Sequence, residues 1–394
     1  MSATRACNPA AISFDALGNA MVVDQPTLDA LQDAAQLIRD GQCVVFPTET
    51  VYGLGAHALN PVAVARIFDT KRRPADNPLI VHVASHAMLA SLLPDDYTIP
   101  PIYLTLMHAF WPGPLTLLFP ANDKTVPREV TAGHPTIAVR MPAHPVARAL
   151  IALANAPIAA PSANSSGKPS PTRAVHVYRD LGDRVPLVLD GGSCAVGLES
   201  TVVDGLHPDG RLRILRPGGV TPEQIESLLG PDGPQVLVHR RDYADTLLES
   251  APTTPGMKYR HYSPSIPVIL VRTSPAPEGV EPVSLEDIVK RSGSRHVGVM
   301  TLSDSSIQTT TMDGIHWHTF PLGLRTEPAV TAQRLFDGLL TLESEGVELI
   351  LVEAVPEENE GLAVMNRISK AASSTQWIKC THIFKILTMG LLLI

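Results

Sequence analysis

Seven short stretches carry residues that could do chemistry. The loop Pro47–Gly55, PTETVYGLG, sets the hydroxyls of Thr48, Thr50 and Tyr52 beside Gly53 and Gly55. Glycines there let backbone amides approach a ligand closely. Lys71-Arg72-Arg73-Pro74 follows, then Asn77-Pro78. Arginine offers a planar fork and lysine a compact charge for phosphate oxygens, although cations at a helix end are favoured by the helix dipole alone. His82 stands inside the apolar run LIVHV, and Arg140 ends TIAVR, which begins at Thr136. A lone histidine in such a run is more often a satisfied core residue. An arginine at the end of a buried strand needs a partner. A small-molecule carboxylate would serve, and so would an internal Asp or Glu. PSANSSGKPSPT gathers Ser162, Asn164, Ser165, Ser166 and Ser170 around Gly167 and Lys168, and amides and hydroxyls in such a loop can wrap phosphates. GLEST supplies Ser200 and Thr201, and Arg216 precedes a Pro-Gly-Gly turn in ILRPGG. The PTETVYGLG and PSANSSGKPSPT loops, taken alone, also read as solvated turns. Together the stretches assemble hydroxyls and cations.

Several catalytic devices are missing from the sequence. It contains no GxxxxGK[ST] phosphate loop, no HExxH, no GxSxG nucleophile elbow and no cysteine–histidine cluster at metal spacing. A covalent enzyme intermediate is therefore not indicated. The set suits positioning and electrostatic stabilisation of a phosphoryl or adenylyl transfer.

The elements that must hold these residues alternate between strand and helix. An irregular arm is predicted over residues 1–24. Leu28, Leu31, Ala35 and Ile38 then recur at helical spacing, with Thr27 as cap and Gly41 as stop. CVVF is a short buried strand, and Asn60-Pro61 caps and starts a second helix. Strands at LIVHV, LTLLF, IAVRM, PIAA, LVLDGG, STVVD and LRILR outnumber the helices, so a mixed sheet is expected. Thr221-Pro222-Glu223-Gln224 is a capping box. Residues 25–230 form this first α/β domain and 231–265 a linker holding PGMKYRHYSP. Residues 266–372 form a smaller Rossmann-like α/β domain without a GxGxxG fingerprint. Residues 373–394 are a tail to which no role is assigned.

Bulk properties agree with a folded two-domain protein. The 394 residues are 44% hydrophobic and 18% charged, which excludes a disordered class. The net charge of −8 argues against a general polyanion binder, while allowing a local basic site. The four scattered cysteines, Cys7, Cys43, Cys194 and Cys380, make no disulfide framework. No apolar run approaches the roughly 20 residues that span a bilayer, and no signal pattern opens the chain. The expected location is cytoplasmic, with a mitochondrial pool left open.

Taken in order, PTETVYGLG, KRRP with NPLIVH, WPGPLT, TIAVRMP, PSANSSGKPSPT, GLESTVVD, ILRPGG and PGMKYRHYSP resemble the YrdC-type L-threonylcarbamoyladenylate synthases. The long two-domain form is the closer match, over roughly residues 25–372. KRRP departs from the more usual KGRP at its middle position. The resemblance implies a YrdC-like mixed twisted sheet with helices, and a nucleotidyltransferase. Its reaction converts L-threonine, bicarbonate and ATP, with Mg2+, to threonylcarbamoyl-AMP and pyrophosphate. A separate transferase complex then uses that product to form N6-threonylcarbamoyladenosine in tRNA. It further implies that Thr50, His82, Arg140 and Ser200 or Thr201 hold threonine. Lys71, Arg73, Asn77, Thr136, Ser162, Asn164, Ser170 and Arg216 would hold ATP, with Tyr259 or Tyr262 closing over the nucleotide. Three rivals remain: a double-stranded-RNA-binding module, a carbamoyl-transfer maturation enzyme and a protein with a decayed site. The net charge, the lack of zinc-finger cysteines and the intact polar set weigh against them in turn.

Overall fold

The computed structural model describes residues 3–15, 18–245, 261–307 and 312–379. One eleven-stranded sheet organises the larger domain. From edge to edge it runs Ala3–Ala6, Leu187–Asp190, Val44–Phe46, Gly53–His57, Ile158–Ala159, Ile80–His82, Thr136–Arg140, Leu115–Pro120, Thr201–Asp204, Leu212–Arg216 and Val236–Val238. It contains both parallel and antiparallel pairings, so the sheet is mixed. A parallel register sets His82 directly beside Arg140. This places two site residues from distant sequence on neighbouring strand ends.

Both faces are covered. The helix Gln25–Arg39 buries Leu31 and Ile38 against Leu150 and Ile151 of the helix Pro145–Ala154. Truncating one such leucine to alanine costs about 2–5 kcal/mol. The cap of the first helix is Asp24, whose carboxylate accepts from the Thr27 amide, while Thr27 itself is buried in the first turn. The expected Thr27 cap is thus one turn late, because Asp24 offers the stronger acceptor. The arm expected to be irregular contributes the edge strand Ala3–Ala6 and the hairpin Ile12–Phe14 with Ala20–Val22. Ala3–Ala6 is exposed throughout, so no apolar alternation announced it.

The helix Pro61–Lys71 shows how the basic tripeptide is aimed. Asn60 caps it, accepting from the amides of Val62 and Ala63. The helix buries Ala63, Val64, Ile67 and Phe68 and stops at Arg72, which is left-handed with φ 52°. That turn points Arg72 to solvent, buries Lys71 and leaves Arg73 half-buried. A left-handed position favours glycine, which accounts for the usual KGRP.

The second domain is a five-stranded sheet, ordered His316–Pro321, His296–Thr301, Leu349–Glu353, Val268–Arg272 and Ser374–Trp377. Every pairing is parallel. The sheet takes up Ser374–Trp377 at its edge, so it continues past residue 372. His316–Pro321 has no fully buried residue, and sequence periodicity passes over it. Val51 and Leu198 of the first domain share a core cluster with Leu335, Phe336 and Val364 of the second. The two domains therefore meet through apolar packing beside the PTET and GLEST loops.

Candidate active site

A cleft opens where the strand ends meet that domain junction. Of the expected residues, Thr50, Arg73, His82, Arg140, Ser162, Ser200, Arg216 and Tyr262 line it. Segments far apart in sequence thus converge, as open α/β sheets favour at strand ends.

One end is built around Arg140. Its Nε donates to the Gly113 carbonyl at 3.1 Å, Nη1 to Thr50 Oγ1 at 2.9 Å and Nη2 to Glu49 Oε1 at 2.5 Å. The other Glu49 oxygen accepts from the amides of Ala143 and His144. Of the two partners open from sequence, the internal carboxylate is the one present. Guanidinium has five N–H donors, so one remains on each terminal nitrogen. The Thr48 hydroxyl donates to the Val51 carbonyl at 2.7 Å. Thr50 therefore donates to Thr48, 2.7 Å away, and accepts from Arg140. His82 is 3% exposed, packs edge-on against Phe46 and has no partner at Nδ1. Burial and then the Arg140 charge push its pKa down to about 3, so the ring is neutral.

The other end gathers Arg216, Ser200 and Glu199. Arg216 donates from Nε and Nη2 to the Ser200 carbonyl at 3.2 and 2.8 Å, and from Nη2 to Ser200 Oγ at 3.2 Å. Ser200 Oγ also meets Thr116 Oγ1 at 2.7 Å. Thr201 turns the opposite way, bonding the backbone of Val220. Strand alternation separates the two hydroxyls, and only Ser200 faces the cleft. Gly218 lies against this turn, where a Cβ would stand 2.3 Å from the Glu199 carbonyl.

Three other expected ligands stand behind the cleft wall. Lys71 donates Nζ to the carbonyls of Ser162 and Asn164. The expected phosphate ligand therefore pins the PSAN loop, and burial holds its pKa well below the usual lysine value. Asn164 donates to the Ser165 and Lys168 carbonyls, shaping the same loop. Ser170 donates to Glu199 Oε1 at 2.7 Å. Asn77 Oδ1 and Thr136 Oγ1 are buried without hydrogen-bond partners and lie off the cleft lining. Thr136 shares a face with Arg140, about 13 Å away along the strand. Tyr259 lies outside the described residues.

Sequence reasoning missed the carboxylates and the second domain's contribution. Glu49 and Glu199 each precede a cleft hydroxyl, in TET and EST. Strand-end arginines that need carboxylates were the available signal. His261 and Tyr262 form the last wall: their rings stack at 4.3 Å, and Tyr262 lies 5.3 Å from Phe336. Arg367, from the helix Glu360–Ala371, is fully buried and reaches Glu199 at 3.1 Å. A single arginine in an amphipathic helix reads as solvated, so nothing in the sequence flagged it.

Comparison with known proteins agrees with this arrangement. A family model described as "Telomere recombination" (Sua5_yciO_yrdC) matches residues 36–218, and one described as "Threonylcarbamoyl-AMP synthase, C-terminal domain" matches 220–373. The threonylcarbamoyl-AMP synthase of Schizosaccharomyces pombe is 45% identical over 370 residues, 88% of this chain and 89% of that protein. That of Bacillus subtilis is 42% identical over 344 residues, 87% of this chain and 92% of that protein. The crystal structure of P. abyssi Sua5 complexed with L-threonine superposes with a TM-score of 0.77 at 39% identity, covering 96% of this chain and all of that one. The mixed sheet, the parallel second domain and these matches agree: the chain belongs to the threonylcarbamoyl-AMP synthase family, in its two-domain form.

Proposed function

We propose that the cleft binds L-threonine at its Arg140 end and ATP towards its Arg216 end, and makes threonylcarbamoyl-AMP from them and bicarbonate. The observation that carries this reading is the Arg140 guanidinium. It is held rigidly by Glu49, Thr50 and Gly113, and keeps one donor on each terminal nitrogen. A planar pair of donors fits a carboxylate. Thr50 and neutral His82 flank the place where an amino acid's amine and hydroxyl would lie, and Ser200, at the border with the Arg216 end, faces it from the other side. His82 protonates only near pH 3, so it positions by hydrogen bonding rather than acting as the base.

In the reaction, threonine's amine attacks bicarbonate to give a carbamate and water. A carbamate oxygen then attacks the α-phosphorus of ATP, and the bond to pyrophosphate breaks. Arg73 and Arg216 supply positive charge for the phosphates from a chain whose net charge is −8. Arg73 keeps a buried Nε without a partner while Nη2 holds the Asn77 and Pro78 carbonyls. Mg2+ enters with ATP as part of the substrate. Both carboxylates of the site are engaged by arginines, and among the described residues no group of three or more acids, histidines and cysteines forms a metal site. Tyr262 covers the cleft beside His261, and a covered site protects carbamate and mixed anhydride from water. The product passes to a transferase acting on tRNA in a cytoplasmic setting. Among the described residues no helix is long and apolar enough to cross a membrane.

Pyrophosphate release from ATP by the full chain, with threonine and bicarbonate added separately and together, tests the reading. Release that requires both supports it. Release indifferent to threonine in folded protein rejects it.

A further inference from the structure

A charged side chain of the second domain reaches Glu199 in the cleft wall. Arg367 is 0% exposed. Its Nε and Nη2 lie 3.1 Å from Glu199 Oε2, and Nη1 donates to the Pro217 carbonyl at 2.6 Å. Its guanidinium also sits 5.6 Å from the centre of the Tyr262 ring. These contacts join GLEST, ILRPGG and the end of the linker to one atom group from a helix more than a hundred residues away. Glu199 lines the cleft and also accepts from Ser170.

Such a carboxylate is a hazard in a site for anions. Left unpaired, Glu199 would repel phosphates or capture Arg216, whose side chain already lies along Ser200. We infer that Arg367 is a positioning residue for the adenylyl transfer: it neutralises and orients Glu199, leaving Arg216 and the Ser170 loop set for the nucleotide. The inference rests on the synthase reading and assigns the second domain a working part in the site.

The charge state of Glu199 supplies a readout that simple structural support would not. Burial raises its pKa, but Arg367, Arg216 and the Ser170 hydroxyl outweigh burial and hold it at about 2. The charged or titratable groups around it are Arg367, Arg216, Lys71, Lys370, His261 and Tyr262. Without Arg367, burial would shift Glu199 upward, towards the working pH.

The experiment measures steady-state pyrophosphate release by full-length wild type, Arg367→Met, Arg367→Lys and the double variant Arg367→Met with Glu199→Gln, from pH 5.5 to 8.5. Thermal unfolding is recorded in parallel. Wild type must first show threonine-dependent release; if it does not, the synthase reading itself has failed, before Arg367 is tested. Given that activity, Arg367→Met should raise KM for ATP at least 10-fold, lower kcat and leave KM for threonine within threefold. It should also show pH-dependent activity absent from wild type. Arg367→Lys should recover part of the loss. The double variant removes the unpaired charge, so it should recover folding, a flat pH profile and most of the ATP affinity. Equal changes in both KM values, or a KM for ATP that stays fully raised in the double variant, would overturn the inference. Arg367 would then be structural only.

Discussion

The two ends of the cleft solve one electrostatic problem in different ways. At one end Glu49 holds Arg140, and the next residue, Thr50, accepts from that same arginine. At the other, Glu199 is held by Arg367, and the next residue, Ser200, is held by Arg216. Each end thus pairs a buried glutamate and its following hydroxyl with arginine. The first set is complete within the larger domain. The second needs an arginine from the smaller domain. Removing one partner of a buried pair strands the other charge, so each end is rigid only while its pair is whole. The difference teaches that the Arg140 end depends on one domain's folding, whereas the Arg216 end also depends on how the domains meet.

The largest expected effect breaks the self-contained end. Glu49→Ala leaves Arg140 buried and without its ion-pair partner, and should cost about 3–5 kcal/mol in urea unfolding. A loss below about 1 kcal/mol would mean the pair behaves as a screened surface contact.

A second effect separates the ends by pH. His82 has a folded pKa of about 3, below the ordinary histidine value of 6.5. The unfolded chain therefore binds the extra proton first. The stability this histidine confers is full above pH 6.5 and is lost as pH falls from there towards 3. Its contribution to the slope should approach about 1.4 kcal/mol per pH unit within that window. His82→Gln should show a shallower decline in urea midpoints over the same range, and an unchanged slope would place the ring in contact with water. His176 and His261, each held down to about 4 by burial, leave a residual slope in the variant.

Neighbouring hydroxyls give a smaller contrast. Thr201→Val should cost about 1–2 kcal/mol through the lost Val220 bonds while kcat is kept. Ser200→Ala should lower kcat/KM for threonine roughly 10-fold, equivalent to about 1.4 kcal/mol, beside a stability cost of about 1 kcal/mol for the lost Thr116 and Arg216 bonds. If the two variants exchange these phenotypes, the strand faces have been assigned the wrong way round. The smallest effect is Arg72→Gly. Relieving φ 52° should gain about 0.5 kcal/mol and leave kinetics unchanged.

Much of this was legible in the sequence. Periodicity and caps located several helices and most strands, and the expected sites at Thr50, His82, Arg140, Ser200 and Arg216 do meet at one cleft. Legibility ended where side-chain direction decides the outcome. Lys71 and Arg73 differ by two residues, yet the left-handed turn at Arg72 sends one into the PSAN loop and the other to the cleft. Ser200 and Thr201 are likewise separated by strand pleat rather than by type. Arg367 was invisible because its burial arises from the domain junction, a long-range property that no local pattern records. The exposed edge strand Ala3–Ala6 was missed for the converse reason: its stabilisation is backbone pairing, which leaves no hydrophobic trace.

The central claim is that one cleft holds threonine and nucleotide at separate ends. Calorimetric titration of L-threonine and of ATP into the charge-compensated variant Arg140→Met with Glu49→Gln tests it most directly. Threonine affinity should fall at least 30-fold while ATP affinity stays within threefold of wild type. Equal losses for both ligands, or threonine binding that persists, would contradict the division.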